Sequence, residues 1–287
     1  MSIKASELIL NPDGSIYHLN LKPENISDTI ILVGDPDRVH HITKHFNHIE
    51  FETQKREFKT QTGTYDNKRI TVLSTGIGCD NIDIVLNELD ALVNIDFETR
   101  TIKNNFKALK IIRIGTSGSL QSDIPVDSFL ISRLAIEFSG LFHTYDSEKI
   151  CNSHLEEAFI KHTNWHKFKA KPVFVKNSRL LESQFESNDT FKGITATANG
   201  FYGPQGRVLR LQLQDDALND KMDSFEYKGL RLTNLEMETA AIYGLSKLLG
   251  HQAISLNAII ANRVLGNFSK NPEEIIEKLI QYTLKKI

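Results

Sequence analysis

The sequence predicts an α/β fold built around a sheet with parallel strands. Three short runs rich in β-branched residues, Thr29–Val33 and residues 69–74 and 109–114, each end just before a turn that contains glycine. Nearly all-apolar runs of this length are typical of strands that are covered on both faces, as in parallel sheets. The repeating unit that we expect is therefore a strand, a glycine turn and a helix.

The turn after the first run gathers groups that bind anions. It reads Gly34-Asp35-Pro36-Asp37-Arg38, and Pro36 fixes φ where a helix begins. Gly34 lets a ligand approach the main chain closely. Arg38 lies in the first helical turn, where N–H groups and a cation can converge on one anion. An ordinary turn with a solvated arginine is the alternative interpretation.

The second run leads into a helix predicted over residues 80–94, with Asp80 as its cap and apolar residues at helical spacing. The turn between them, Thr75-Gly76-Ile77-Gly78, lacks the full Gly-x-Gly-x-x-Gly pattern and has no P-loop lysine. The sequence therefore does not favour a dinucleotide site or a P-loop nucleotide site.

The third run carries a charge in its interior. Arg113 lies within the strand predicted over residues 109–114, which we expect to end in the turn Gly115-Thr116-Ser117-Gly118. A guanidinium keeps its proton in proteins, and burying it without a partner is very costly. Open α/β sheets bind ligands at the carboxyl ends of their strands. The partner of Arg113 is therefore either an anionic ligand or an internal carboxylate, and this stretch alone favours neither.

A later loop combines groups that suit a flat heterocycle. It reads Asn199-Gly200-Phe201-Tyr202-Gly203-Pro204-Gln205-Gly206-Arg207. An aromatic face stacks on a ring, while the amide of Gln205 and the guanidinium of Arg207 meet its acceptors and donors. The alternative is a surface loop whose aromatic side chains plug the core.

The remaining elements follow from the same signals. We predict strands at residues 127–132, 172–176, 193–198 and 253–261, a helix within residues 153–165, a loop over residues 183–189 and a last helix capped by Asn271. A further helix is predicted to open at Leu235 and to end near Leu249. Glu236 and Glu238 at its start are either partners of the helix dipole or acceptors for two hydroxyls of a sugar.

Composition limits the possible classes of function. The chain has 287 residues, a formal net charge of −2 and only two cysteines, so nothing in its charge attracts nucleic acid or an anionic membrane. No stretch approaches the roughly 18 apolar residues of a membrane span. Without a linker or repeat, we expect one domain over residues 1–287. The absence of a secretory signal and of metal-type cysteine spacing predicts a cytoplasmic location.

Seven motifs, in this order, resemble the nucleoside phosphorylase family and, within it, the members that cleave uridine. They are Gly34-Asp35-Pro36-Asp37-Arg38, Lys55-Arg56-Glu57-Phe58, Ser74-Thr75-Gly76-Ile77-Gly78, Ile112-Arg113-Ile114-Gly115-Thr116-Ser117-Gly118, Phe201-Tyr202-Gly203-Pro204-Gln205-Gly206-Arg207, Glu236-Met237-Glu238 and Asn262-Arg263. The resemblance covers nearly the whole chain. It implies a three-layer α/β fold with a central mixed, partly closed β-sheet flanked by helices.

The resemblance also implies a role for each matched position. Phosphate would be held by Gly34, Arg38, Arg56, Arg113 and Thr116, of which Arg56 would come from a neighbouring subunit. Ribose would be held by Thr116, Met237, Glu238 and the neighbouring subunit's His18, which on its own would be interpreted as a surface residue. The base would be held by Phe201, Gln205, Arg207 and Arg263, and catalysis would rest on Arg113, Gln205 and Arg207.

The implied activity is the reversible phosphorolysis of uridine, or of deoxyuridine or thymidine, in pyrimidine salvage. The implied partners are a nucleoside, phosphate and further copies of the chain, as a homodimer or a dimer-based homohexamer. No cofactor is required. Some relatives hold a potassium ion at a subunit interface, and Glu57, Ile77 and Asn81 stand at the corresponding positions. Cys79-Asp80-Asn81 replaces a common Gly-Pro-Ser there, which departs from the family pattern.

Two positions bear on the choice of base. The pair Gln205 and Arg207 is typical of the uridine enzymes, whereas related purine enzymes place an aspartate after the late strand, where this chain has Ala261-Asn262-Arg263. A purine nucleoside phosphorylase, a nucleosidase that uses water, and a non-catalytic nucleoside-binding protein are the alternatives. The last two should lack part of the arginine set, and Arg38, Arg56 and Arg113 are all present.

Overall fold

The computed structural model describes residues 2–287, and within that range the chain forms fourteen strands and seven α-helices. The strands are β1 (Thr29–Val33), β2 (His48–Lys55), β3 (Phe58–Tyr65), β4 (Lys68–Ser74), β5 (Ile95–Asp96), β6 (Thr101–Ile102), β7 (Lys110–Ser119), β8 (Phe129–Glu137), β9 (Val173–Lys176), β10 (Thr190–Thr197), β11 (Glu226–Tyr227), β12 (Leu230–Glu236), β13 (Gln252–Asn262) and β14 (Asn267–Phe268). The helices are α1 (Pro36–Thr43), α2 (Cys79–Asn94), α3 (Ser153–Thr163), α4 (Arg179–Phe185), α5 (Leu218–Asp223), α6 (Thr239–Leu248) and α7 (Pro272–Leu284).

The main sheet is mixed and closes partly on itself. Its strand order is β11-β12-β10-β8-β13-β7-β1-β4-β3-β2, with β9 beside β8 and β14 beside β13. Strand β12 also pairs with β7, through Asn234 with Ser119 and Leu235 with Gly118. Strands β7, β13, β8, β10 and β12 therefore form a closed barrel, from which β1, β4, β3 and β2 continue as an open sheet. The predicted mixed, partly closed sheet is confirmed.

Helices cover both faces of this sheet and give three layers. On one face, α2 and α6 pack through side chains such as Leu86 and Tyr243. On the other face, α1, α4 and α7 pack through side chains such as Ile42 and Leu279, while α3 and α5 cover the β10 and β12 side of the barrel. The predicted three-layer architecture is confirmed. None of the helices within residues 2–287 combines the length and the apolar character that a bilayer span requires.

The strand that carries Arg113 is longer than predicted. The turn expected at Gly115-Thr116-Ser117-Gly118 is wrong, because β7 pairs with β13 from Lys110 to Ser119 and runs through all four residues. The small residues have a packing role instead. A Cβ on Gly115 would lie 1.8 Å from Nη1 of Arg113, so the missing side chain makes room for the guanidinium.

The helix predicted from Leu235 begins four residues later. Leu235 and Glu236 belong to β12, which pairs in parallel with β10, and α6 begins at Thr239 with Glu238 as its N-cap residue. Pairing between strands outweighs the local helical propensity of these residues. The Glu236 carboxylate accepts hydrogen bonds from the main-chain N–H groups of Glu238 and Thr239, as expected of a negative charge at a helix start.

Three other features differ from the sequence prediction. Asp80 is not the cap of α2, because this helix begins at Cys79 with Gly78 as its N-cap residue. The hairpin of β2 and β3 was not predicted, and Lys55 and Phe58 flank the tight turn that connects its strands. The loop predicted over residues 183–189 is partly wrong, because α4 extends to Phe185. Leu181 and Phe185 of this short helix are buried in the core, and that packing stabilises a helix too short to be stable alone.

Close packing of α6 on Phe142 generates a stability prediction. A Cβ on Gly244 would lie 2.1 Å from the Phe142 ring. Alanine ordinarily favours a helix over glycine by about 1 kcal/mol. We nevertheless expect Gly244→Ala to lower the free energy of unfolding by about 1–3 kcal/mol, because the added methyl group overpacks the core. Urea denaturation measures this change.

A double-mutant cycle separates overpacking from helix propensity. In a Phe142→Leu background the ring is gone, so Gly244→Ala should cost much less stability than it does in the wild type. Strictly additive effects of the two substitutions, or a Gly244→Ala variant as stable as the wild type, would contradict this packing.

Candidate active site

Some of the predicted phosphate and ribose residues meet at one edge of the sheet. Strands β4, β1 and β7 are parallel neighbours, so their carboxyl ends lie side by side. The turns after β1 and β4 touch, since a Cβ on Gly34 would lie 3.5 Å from the Gly76 carbonyl oxygen. Glu238, between β12 and α6, accepts hydrogen bonds from the Gly78 N–H and from Arg113. The structure thus gathers three predicted residues, Gly34, Arg113 and Glu238, around one cluster of turns.

Arg113 is buried, and its partners are internal. Its Nη2 lies 2.6 Å from Oε2 of Glu238 and 3.2 Å from Oε2 of Glu236. Its Nη1 donates to Oδ1 of Asn257 at 3.2 Å and to Oγ of Ser255 at 3.5 Å. Of the two partners that the sequence left open, the structure contains the internal carboxylate. None of these four contacts uses Nε, so part of the guanidinium's donor set is left for a ligand.

The two buried carboxylates differ in how their charge is satisfied. Glu236 accepts hydrogen bonds from the start of α6 and from the hydroxyls of Thr197 and Thr239. Burial raises the pKa of Glu238, and the charge of Glu236 adds to this, although Arg113 opposes it. Burial lowers the pKa of Arg113, but Glu236 and Glu238 outweigh burial and raise it overall. Glu238 accepts hydrogen bonds from Gly78 and Arg113, fewer than Glu236 accepts, and so has more acceptor capacity left for a ligand.

Arg38 is the cation of this cluster that lacks an internal partner. It is half-buried in the first turn of α1, and in the described part of the chain it forms no ion pair. Burial lowers the pKa of Arg38, the charge of Arg113 lowers it further, and Asp35 only partly opposes them. Two guanidiniums close enough to repel each other favour an anion between them.

The predicted base loop forms a preorganised group of three residues. Nη1 of Arg207 donates to the Phe201 carbonyl at 2.6 Å and to Oε1 of Gln205 at 2.7 Å. The Arg207 guanidinium carbon lies 3.9 Å from the centre of the Phe201 ring. Gln205 is buried, and the side-chain amide of Asn219 donates to the main-chain carbonyl of Gln205 at 3.2 Å. The side chains of Phe201, Gln205 and Arg207 thus hold one another in place without a ligand.

Arg263 joins this group as a second cation. Burial lowers the pKa of Arg263 to about 10, and the charge of Arg207 contributes. Its Nη1 is buried and has no hydrogen-bond partner in residues 2–287. A Cβ on Gly118 would lie 3.5 Å from Cγ of Arg263, so this side chain packs on β7 beyond Thr116. Two neighbouring guanidiniums suit a ligand rich in carbonyl oxygens or one that gains negative charge.

The other predicted site residues are distributed less tightly. Thr116 and Met237 are half-buried on β7 and between β12 and α6. His18 and Arg56 form no ion pair or hydrogen bond with Arg113 or Glu238 in the described chain. His18 is held instead by Glu88, whose Oε1 lies 2.6 Å from the ring Nδ1, and Arg56 is exposed with a φ of +55° in the β2–β3 turn.

Two of the three residues predicted as a possible cation site, Glu57 and Asn81, form a hydrogen bond with each other, and Ile77 is not part of it. The amide nitrogen of Asn81 donates to Oε1 of Glu57 at 3.2 Å, and both side chains lie against Gly76. Rotating the amide would set its oxygen against the carboxylate. A cation requires lone pairs from both side chains, whereas the amide hydrogens face Glu57. The pair, as arranged here, does not fit a cation held between these two groups.

Three residues of the site were missed by the sequence analysis. Asn257 and Ser255 contact Arg113 from β13, and Glu88 holds His18. A signal for the first two was present, because serine and asparagine interrupt an otherwise apolar strand, Gln252–Asn262. Buried polar residues in a strand are usually hydrogen-bonded, but the sequence does not say to which group.

Comparison with known proteins gives independent evidence about the family of the chain. A model of the phosphorylase superfamily matches residues 28–284. The chain is 27% identical over 268 residues to a uridine phosphorylase of Thermococcus kodakarensis, covering 91% of this chain and 83% of the relative. It is 26% identical over 259 residues to a DeoD-type purine nucleoside phosphorylase of Levilactobacillus brevis, covering 90% and 91%. A Trypanosoma brucei nucleoside phosphorylase structure, described as showing uridine phosphorylase activity, has a TM-score of 0.87 at 29% identity, covering 98% and 99%.

The Glu57–Asn81 hydrogen bond generates a prediction about alkali cations. We expect the melting temperature to be the same in potassium chloride as in choline chloride at equal ionic strength, because the carboxylate already has a donor. Asn81→Asp sets two carboxylates together, and its melting temperature should rise with potassium but not with choline. A potassium-specific rise in the wild-type protein, measured by calorimetry, would overturn this account.

Proposed function

The chain belongs to the phosphorylase superfamily, and from that premise we propose that it is a uridine phosphorylase. As a nucleoside phosphorylase it is an enzyme, a pentosyltransferase that acts on small-molecule nucleosides and phosphate. The finer proposal is that it transfers the ribosyl group of uridine to inorganic phosphate, reversibly, in pyrimidine salvage. Deoxyuridine and thymidine are further candidate substrates.

The observation that carries the proposal is the half-buried Arg38 beside Arg113. A cation without an internal carboxylate, at the start of a helix and next to Gly34, supports a site for one oxyanion. Phosphate bound there would relieve the repulsion between the two guanidiniums. Thr116, three residues beyond Arg113 on β7, is half-buried, and we assign its hydroxyl to the region between phosphate and ribose.

The proposed reaction needs no covalent enzyme intermediate. An oxygen of phosphate forms a bond to the anomeric carbon of ribose, and the electron pair of the broken C–N bond leaves with uracil. The ribose gains positive charge next to the phosphate dianion, and uracil gains negative charge on its carbonyl oxygens. Arg207 and Gln205, with Arg263 behind them, stabilise that negative charge, so catalysis consists of positioning and electrostatic stabilisation.

The end of β13 supports a pyrimidine over a purine. Related purine enzymes place an aspartate after this late strand, whereas the stretch Ala261-Asn262-Arg263 contains no acid, and Asn262 is the last residue of β13. Its amide donates to the carbonyls of Gln121 and Ile124, and its oxygen accepts from the N–H groups of Val264 and Leu265. An amide is not a proton donor to a leaving base, and these four bonds commit this one to the neighbouring main chain. The likeness to the Levilactobacillus purine enzyme makes inosine the natural competing substrate to test.

The proposal includes a homodimer or a dimer-based homohexamer in the cytoplasm. The exposed Arg56 would reach the phosphate of a neighbouring subunit's site, and His18, fixed by Glu88, would reach its ribose. Their lack of contact with Arg113 within one chain supports a role across an interface. No cofactor is needed, since the chemistry uses only phosphate and protein donors.

Arg38→Met tests the phosphate site. It leaves no buried carboxylate without its partner, because Arg38 has no ion-pair partner in residues 2–287. We expect the phosphate KM to rise and kcat/KM for phosphate to fall by about 10²-fold. This is the usual loss when one hydrogen-bond donor to a negatively charged group is removed. Release of uracil from uridine, with and without phosphate, measures this. The exposed Arg179→Met is the matched control. Phosphate-independent turnover in the wild type would refute phosphorolysis.

Gln205→Ala and Arg207→Ala test the base site. We expect each variant to lower kcat/KM for uridine by about 10²–10³-fold, because one donor to the leaving base is lost, while the phosphate KM stays near that of the wild type. Steady-state assays with uridine, thymidine and inosine measure this. Arg210→Ala, an exposed neighbour, is the control. Normal uridine turnover in both variants, or a wild-type preference for inosine, would overturn the uridine assignment.

A further inference from the structure

The closed part of the sheet contains a belt of polar side chains that links all five of its strands. Following the order β7, β13, β8, β10, β12 and β7 again, its members are Arg113, Asn257, Ser132, Thr195, Asn234 and Ser117. Each contacts the next through side-chain hydrogen bonds of 3.2, 3.2, 2.5, 2.8 and 2.9 Å. The belt therefore makes a complete circuit that starts and ends on β7.

The belt lies on the inner face of the barrel and is shielded from solvent. Side chains alternate between the two faces of a strand, and Leu256 and Ile131, next to Asn257 and Ser132, pack outward with α4 and α7. Asn257, Ser132, Thr195 and Asn234 are 0% exposed. A polar group buried so completely lowers stability unless it is hydrogen-bonded. The hydrogen bonds of the belt are therefore needed for these side chains to lie inside the barrel.

The hydrogen bonds of the belt have one direction. Thr195 gives its only hydroxyl proton to Oδ1 of Asn234, so Ser132 must donate to Thr195. Ser132 then has only acceptor capacity left, and it accepts from the amide nitrogen of Asn257. The Asn257 oxygen is thereby left for the donor-only guanidinium of Arg113. Each link polarises the next in the same sense, and the amide of Asn257 cannot turn round without breaking two bonds.

The belt therefore fixes Arg113 on the side away from the carboxylates. Nη2 is held by Glu238 and Glu236, and Nη1 by Asn257, with a longer contact to Ser255. If only the carboxylates held Nη2, the guanidinium could rotate about that nitrogen. The hydrogen bond from Nη1 to Asn257 is a second anchor, and it fixes the plane of the guanidinium. A planar donor group binds an oxyanion well only in the right plane.

We propose that Asn257 is a positioning residue for phosphate, which acts by fixing the plane of the Arg113 guanidinium. This inference rests on the proposed function, because it takes Arg113 to be a phosphate ligand. Asn257 itself touches neither phosphate nor nucleoside. Its loss should weaken phosphate binding selectively, since the base loop around Gln205 and Arg207 shares no hydrogen bond with the belt.

The test compares Asn257→Leu with Asn94→Leu. Both replace a buried amide with an apolar side chain of similar size, but Asn94 lies at the end of α2, and within residues 2–287 its side chain bonds only to Asp90 and Lys107. We expect both variants to lose thermal stability. Only Asn257→Leu should raise the phosphate KM, by about tenfold, the usual worth of a hydrogen bond to a charged group. Its uridine KM should stay close to that of the wild type.

Calorimetric titration of each protein with inorganic phosphate supplies a second readout that does not depend on turnover. If Asn257→Leu does not fold, Asn257→Ser takes its place, with Asn94→Ser as control. Equal phosphate KM and affinity in the Asn257 and Asn94 variants, or a parallel rise in both substrates' KM, would overturn the inference while leaving the proposed function standing. A wild-type protein without phosphate-dependent turnover would instead overturn the proposed function.

Discussion

A buried guanidinium stays charged at every physiological pH. The guanidinium of Arg113 therefore needs hydrogen-bond and charge partners, and these come from several distant parts of the chain. Carboxylates from the β12–α6 junction satisfy one edge, and an amide from β13 satisfies the other. Gly115 leaves the space in which the group lies. Removing one partner of such a cluster leaves the others buried with uncompensated charge. The barrel's closure and the polar interior are therefore tied to this one side chain.

The arginines of the site fall into two kinds with different energetic consequences. Arg113 is neutralised by the protein, so it contributes geometry as well as charge. Arg38, Arg207 and Arg263 form no ion pairs among the described residues, and burial lowers the pKa of each. A fold that desolvates cations without neutralising them stores unfavourable free energy. A ligand that carries or develops negative charge relieves it, and such relief stabilises a transition state more than a neutral ground state.

The proposed site has two parts, and this division is consistent with the likeness to both uridine and purine enzymes. The turns after β1 and β4 and the Arg113 segment of β7, where we propose that phosphate binds, belong to the sheet itself and accompany the fold. The proposed base contacts come from one loop, Phe201 to Arg207, and from the end of β13. Asn262 at that end is committed to the neighbouring main chain, whereas Arg207 orients Gln205. On this proposal, substrate choice depends on a few local hydrogen bonds.

Local signals were enough to predict β1, the start of α1 and the positions of Gly34 and Arg113. The turn at Gly115 and the helix start at Leu235 were wrong, because pairing with β13 and β10 overrides local preference. The sequence by itself determined that Arg113 needs an anion. Only the tertiary structure decided that Glu238, 125 residues away, supplies that anion and that Asn257 binds the other edge of the guanidinium, because charge is a local property while its partners are set by how the barrel closes.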